Sequence, residues 1–305
     1  MSAAAIVTPR NCPVCGAGPA NATLFLEDSI DPSRLSGFSF ASRKVPEYMS
    51  HKLVRCGICD LVYADNPPDA GVLANAYHEA AYDSAEEADD AAAAYIRAAG
   101  KSLAALPRRR SALEIGTGTG VFLECLQREG FSELVGVEPS RAAIEAAPAH
   151  RRQWIREGIF EERDFTAESF DLVCCFMTLE HVRDPRAVAE AARRLLRPGG
   201  AFVAVTHDYR SPVNRLLGKR SPIIDVEHMQ LFSAASVRRL FEESGYERIT
   251  VNAFVNRYRA SYWLRLAPLP TALKSGLSRL LMACGMDRHV AFNVGNVFTA
   301  GFKRG

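Results

Sequence analysis

The chain has 305 residues, 37 lysines and arginines against 35 acids, and a formal net charge of +2. That length supports a full core with a small appendage, and the charge gives no general attraction to nucleic acid. No apolar run approaches the ~20 residues that span a bilayer, and the first residues lack the basic start and long apolar region of a secretory signal. The expectation is therefore a cytoplasmic protein whose eight cysteines are metal ligands and buried thiols rather than disulfides.

Two Cys-x-x-Cys knuckles stand near the N-terminus, Cys12-Pro13-Val14-Cys15 and Cys56-Gly57-Ile58-Cys59. Each places two thiolates at one turn, and two such turns make a tetrahedral sulfur site for Zn²⁺. All four positions are filled by sulfur, so this metal is expected to be structural. His51–Arg55 and Leu61–Ala64 alternate as short strands around the second knuckle, so residues 1–69 read as a zinc ribbon with a long inserted loop. Asn66-Pro67-Pro68-Asp69 is a proline turn leaving it. From Ala70 to Leu106 the pattern is alanine-rich and helical, broken near Asp83-Ser84. Tyr77 and Tyr82 either close over a ligand or pack under the next helix.

Leu113-Glu114-Ile115-Gly116-Thr117-Gly118-Thr119-Gly120 reads as a buried strand running into a glycine-rich turn, with a helix beginning at Val121. Gly116, Gly118 and Gly120 allow backbone to pass beneath a ligand where any Cβ would clash. Val121 occupies the place of the third glycine in the dinucleotide fingerprint. Glu114 would repel a pyrophosphate but suits the cationic groups of S-adenosylmethionine. A second strand, Leu134–Glu138, ends in an acid on the order of 20 residues past the glycines, where a carboxylate accepts both ribose hydroxyls. Gly158-Ile159-Phe160 follows a third strand, and Ile159 and Phe160 are placed to sandwich an adenine. Phe170–Phe176 is the fourth strand, an apolar run of the kind buried on both faces, and Ala201–Thr206 is the fifth after the turn Arg197-Pro198-Gly199-Gly200. Strand–turn–helix alternation of this kind means a doubly wound, mostly parallel sheet, whose ligands sit beyond the carboxyl ends of the strands. Glu114, Glu138, Phe160, His181 and His207 all fall at such ends.

The ordered set Glu-x-Gly-x-Gly-x-Gly at 114–120, the acid Glu138, Ser169–Val173, Leu179-Glu180-His181-Val182-Arg183-Asp184-Pro185 and Leu196–Gly200 resembles the class I S-adenosylmethionine-dependent methyltransferases. The resemblance covers about residues 70–256 and the last strand. It implies a Rossmann-like, seven-stranded α/β domain over 70–305, with Glu114, Gly116, Thr117, Gly118, Gly120, Glu138, Ile159 and Phe160 around the cofactor. The reaction it implies is in-line attack of an acceptor nucleophile on the sulfonium methyl. Family members that hold a metal do so with Glu-x-x-Glu-His, and Met177 replaces the first of those glutamates. The ribbon-plus-methyltransferase layout also resembles bacterial enzymes that methylate sugars in surface-glycan or natural-product pathways.

His181 is the leading candidate for the base, with His207 and His228 as further catalytic candidates on the segment covering the acceptor pocket. Rival expectations are an RNA methyltransferase, a dehydrogenase and a non-catalytic cofactor-binding module. Residues 1–69 carry a slightly acidic balance, which speaks against RNA. Residues 257–286 form an insertion that Pro268 and Pro270 divide into two helices before an antiparallel last strand at Val290–Lys303. Arg257, Arg259, Arg265, Lys274 and Arg279 lie there without an acid, among Tyr262, Trp263 and several leucines. The insertion reads as a helical cap, a dimer contact or a peripheral surface on the inner face of the membrane.

Overall fold

The computed structural model describes residues 9–41, 47–82, 85–267 and 269–305. The breaks expected at Asp83-Ser84 and at Pro268 lie outside them, as do Arg43 and Lys44. The N-terminal part holds β1 (Ala22–Leu26), β2 (Leu53–Cys56) and β3 (Val62–Ala64). Two helices follow, α1 (Ala70–His78) and α2 (Ala85–Ala104). The main domain then runs β4 (Ser111–Ile115), α3 (Val121–Arg128), β5 (Glu133–Glu138), α4 (Arg141–Ala146), α5 (Ala149–Arg152), β6 (Ile155–Glu157) and β7 (Phe170–Phe176). It continues through α6 (Pro185–Leu195), β8 (Leu196–His207), α7 (Pro212–Leu217), β9 (Gln230–Leu231), α8 (Ala234–Glu243) and β10 (Glu247–Ala253). The chain closes with β11 (Asn256–Arg259), α9 (Ala260–Leu266), α10 (Thr271–Ala283), β12 (His289–Phe292) and β13 (Asn296–Phe302).

The main sheet has seven strands in the order β10-β13-β8-β7-β4-β5-β6. β8, β7, β4, β5 and β6 are parallel, and β13 runs antiparallel between β8 and β10. The expected α/β class and sheet are therefore present. Alternation along the buried strands sends Leu113, Ile115, Val173 and Cys175 to the face covered by α6 and α8. Ala112, Leu172 and Cys174 go to the face covered by α2 and α3. The adjacent thiols thus point opposite ways and are fully buried, as core residues. The inner side of α2 packs on the sheet through alanines at 91, 92, 94 and 99 together with Tyr95 and Leu103.

Helix starts follow the local chemistry. Asp184 accepts from the Ala187 amide ahead of Pro185, and Ser233 forms a capping box with Ser236.

Four features differ from the linear reading. β1 lies within the loop assigned to the ribbon and pairs antiparallel with β2. The turn expected at Arg197–Gly200 is taken into β8, which begins at Leu196 opposite Phe170. The last strand is two strands: β12 pairs with β11 in a hairpin of its own, and only β13 enters the main sheet. The insertion is thus a helical pair carried on a two-stranded stem. Finally, the division at residue 69 is crossed by the fold, because β9 pairs with β3 and completes a four-stranded sheet β1-β2-β3-β9. The proline turn is tied across as well, since the Arg183 guanidinium donates to the carbonyls of Pro67 and Pro68.

Candidate active site

The glycine turn leaves β4 with three residues in the left-handed region, Gly116 at φ 74°, Gly118 at 55° and Gly120 at 71°. Two of them answer different needs. A Cβ on Gly116 would lie 2.3 Å from the Thr178 hydroxyl, so packing against the loop after β7 forbids it. At Gly118 the missing side chain faces open cavity, which is the cradle a bound cofactor needs. Thr117 is buried, donates its hydroxyl to Glu114 at 2.5 Å, and packs where a side chain on Gly136 would otherwise stand.

Glu138, at the end of β5, is buried, and both its oxygens are engaged. One accepts the Gly118 amide at 2.7 Å and the other the Ser140 amide at 2.9 Å. Burial raises its pKa while those two amides pull it back. The carboxylate staples the glycine turn to the strand end and keeps further lone pairs for hydroxyl donors. Ile159, about half exposed, and Phe160 line the same cavity, with Phe160 stacked on Phe165 at 6.1 Å between centroids. The residues thus fit S-adenosylmethionine on shape and donor chemistry. Gly118 opens the floor, Glu138 would meet the ribose hydroxyls, and Glu114 lines the end where the sulfonium and amino group would lie.

The three histidines converge on the other side of this cavity, whose volume is about 630 Å³. Glu180 is fully buried. It accepts the His207 backbone amide at 2.8 Å, and both its oxygens lie 3.2 Å from His207 Nδ1. Burial alone would raise the Glu180 pKa, but His207, the bonds to it, and the nearby His228 and His181 hold it down at about 2. His228 donates Nδ1–H to the Ile223 carbonyl at 2.8 Å. Its burial depresses the imidazole pKa to about 3, so the ring is neutral. The His181 ring lies 4.8 Å from that of His228.

Tyr77 resolves the choice left open by sequence. From α1 its hydroxyl reaches His181 Nδ1 at 3.0 Å and the Glu227 carbonyl at 3.3 Å. Burial, with Glu227 and Asp225 nearby, pushes its pKa well up and keeps it protonated. His181 Nδ1 is also 3.2 Å from the Glu227 carbonyl, which can only accept. With the proton on Nδ1 directed at this carbonyl, Nε2 is the basic nitrogen. Glu227 was not readable as a site residue, and the pairing of Tyr77 with His181 was not readable either, because only the fold brings positions 77, 181 and 227 together. Glu180 carried a signal in the Leu-Glu-His motif. Met177, at the position of the missing glutamate, lines the cavity with φ 53°. Two groups, Glu180/His207/His228 and His181/Glu227/His228, hold their ligand-type atoms within 4.8 Å of one another.

Cys12, Cys15, Cys56 and Cys59 come together as expected, with Sγ separations of 3.5 Å for Cys12–Cys59 and 3.6 Å for Cys15–Cys56. A tetrahedron with Zn–S of ~2.3 Å has edges of about 3.8 Å, so the four sulfurs fit zinc. Asp60, following the last ligand, accepts the Tyr209 hydroxyl at 2.8 Å and pairs with Arg210. Gln230, on the strand that completes the ribbon sheet, donates to the carbonyls of Leu179 at 2.5 Å and Val182 at 2.7 Å. The metal-binding unit thus holds the loop that carries Glu180 and His181.

A family model described as "Methyltransferase domain" matches residues 85–251, more than half of the chain. Among curated proteins, the ubiquinone biosynthesis O-methyltransferase of Hahella chejuensis is 37% identical over 102 residues, 32% of this chain and 42% of that protein. The Erwinia tasmaniensis protein of the same name is 31% identical over 97 residues, 30% of this chain and 40% of its own. The match therefore spans about two fifths of those relatives. An S-adenosylmethionine-dependent methyltransferase of Archaeoglobus fulgidus aligns with TM-score 0.49 and 15% identity over 77% of this chain and all of that one. A Haemonchus contortus phosphoethanolamine N-methyltransferase 2 in complex with S-adenosyl-L-methionine aligns at 0.41 and 18%, over 71% and 57%. With the glycine turn, the strand-end acid and the seven-stranded sheet in place, this chain belongs to the methyltransferase-domain family, of the class I S-adenosylmethionine-dependent kind.

Proposed function

We propose that the protein transfers a methyl group from S-adenosylmethionine to a hydroxyl of a small-molecule acceptor, and that this acceptor is a sugar or glycan unit. The observation that carries the reading is one continuous cavity, lined at one end by Gly116, Gly118 and Glu138 and at the other by His181, His207 and His228. The cofactor supplies an already activated methyl. The chain's own work is alignment of the two partners, worth ~7–11 kcal/mol, and removal of the hydroxyl proton. His181 accepts that proton at Nε2, and Glu227 and the Tyr77 hydroxyl orient its ring and support the resulting imidazolium. His207, held at Nδ1 by the buried Glu180 carboxylate, offers its other ring nitrogen to neighbouring hydroxyls. Opposite them Tyr258, Tyr262 and Trp263 present aromatic surface to the cavity, suited to the C–H face of a sugar ring. The relatives named as O-methyltransferases support oxygen as the methylated atom.

His181→Ala is expected to lower kcat about 10²- to 10⁴-fold and to leave the affinity for S-adenosylhomocysteine within about twofold. Transfer of labelled methyl into nucleotide-sugar and oligosaccharide pools, set against phenols and RNA, tests the acceptor. Labelled RNA or phenols with unlabelled sugars would reject the sugar assignment. Cofactor binding without transfer to any fraction would reject catalysis, and a preference for NAD would reject the cofactor.

A further inference from the structure

The excursion from β11 to β12 has two faces. Inside, Tyr258, Tyr262, Trp263 and Leu266 wall the cavity. Outside, α10 shows no buried side chain among its described residues. Leu273 is 48% exposed and Leu280 54%, and with Leu277 they fall within a stripe about 60° wide at 100° per residue. Phe292, on β12, is 55% exposed. Exposed apolar residues grouped on one element mark an interaction surface.

The charge on this excursion sorts into two kinds. Arg259 pairs with Asp287 within the excursion, and Arg265 pairs with Glu87 of α2 and ties the excursion to the body. They are not the unopposed charges that the sequence suggested. Arg257, Lys274, Arg279 and Arg288 pair with no acid among the described residues. Lys274 instead donates to the Arg265 carbonyl and Arg279 to that of Ser275. On the helical wheel Lys274 and Arg279 flank the leucine stripe, one on each side. An apolar stripe bordered by unopposed cations is complementary to the headgroup layer of an anionic bilayer. No helix among the described residues is long and apolar enough to cross a membrane, so the contact is one of lying on the surface.

We propose that this excursion docks on an anionic bilayer surface through the Leu273/Leu277/Leu280 face. The docking surface stands without any assumption about catalysis. A corollary, which rests on the methyl-transfer reading, is that an amphiphilic acceptor passes from the bilayer past Trp263 and Tyr262 into the cavity.

Co-sedimentation of the full chain with vesicles of phosphatidylcholine, alone or with about one third phosphatidylglycerol, tests this. Wild type is expected to bind the anionic vesicles at least about tenfold better than the neutral ones, and to be released by about 0.5 M NaCl. Leu273→Ser/Leu277→Ser/Leu280→Ser and Arg257→Glu/Arg279→Glu are each expected to reduce anionic-vesicle binding about tenfold or more. Unchanged S-adenosylhomocysteine affinity shows that both variants are folded. Equal, negligible binding to both vesicles overturns the proposal. So does a wild-type dimer in light scattering that the leucine variant converts to monomer, which would assign the face to a second copy. Turnover on a water-soluble acceptor reports on methyl transfer separately, since none of the substituted residues lines the cavity.

Discussion

Replacing Glu138 by glutamine separates its two roles. The carboxylate accepts the Gly118 and Ser140 amides on different oxygens, at 2.7 and 2.9 Å, in a buried setting. An amide of the same shape has one acceptor oxygen, so whichever way it turns, an NH₂ group meets one of the backbone N–H donors. Leaving a buried donor unsatisfied costs ~1–3 kcal/mol. At ~2–4 °C per kcal/mol for a large domain, the ligand-free protein should lose about 2–12 °C in Tm. The ribose hydroxyls lose a charged acceptor at the same time. A hydrogen bond to a charged group is worth ~1.5–3 kcal/mol, so S-adenosylhomocysteine should bind about 10- to 150-fold more weakly. Scanning calorimetry of the free protein and titration calorimetry with S-adenosylhomocysteine read the two effects independently. A lowered Tm with affinity within about twofold of wild type would make Glu138 a staple of the turn and nothing more. No change in either would refute the geometry from which both numbers are drawn.

Further outcomes follow from the ribbon and from the buried histidine. Cys59→Ser, or stripping zinc with a chelator, is expected to lower Tm by about 10 °C, the equivalent of ~3–5 kcal/mol. It should also reduce turnover more than cofactor affinity, because Gln230 and Asp60 tie the ribbon to the loops carrying Glu180, His181 and His207. Equal loss of both would place the ribbon's influence on the glycine turn instead. His228 has its folded pKa depressed to about 3 by burial and by the neighbouring His181 and His207, against the opposing pull of Glu180, so its contribution is intact above the unfolded value of ~6.5. That contribution is lost progressively as pH falls towards 3, where it amounts to ~4–5 kcal/mol. Glu180, depressed to about 2, adds to the loss in the same direction below ~4.5. His228→Asn keeps a donor for the Ile223 carbonyl and should flatten the fall in Tm between about pH 7 and 5; an unchanged slope would show that the acid loss arises elsewhere.

Much of the cofactor half was legible in the chain because its determinants are local. Gly116, Gly118 and Gly120 adopt a backbone region that other residues disfavour, Glu138 ends a strand, and Asp184-Pro185 starts a helix, so type and spacing carry the information. The cysteines were legible for a similar reason, since thiolates in paired knuckles have few other uses. On the other side of the cavity the three histidines could be named, but not the contacts among them or with their neighbours. Tyr77, Glu180, His181, Glu227 and His228 meet only because α1, the loop after β7 and the segment before β9 close over one cavity, and no periodicity encodes that meeting. Position 69 looked like a boundary because composition changes there. A strand of two residues, β9, has too little pattern to read, yet its pairing with β3 joins ribbon and catalytic domain. The cations of the insertion make the same point. Sequence shows their number, but their opposing acids, Glu87 at the start of the domain and Asp287 just beyond the stretch read as the insertion, are separated from them along the chain or across its turn. Only the tertiary structure decides which cations are neutralised and which face outward, because charge is screened or opposed by what is near in space.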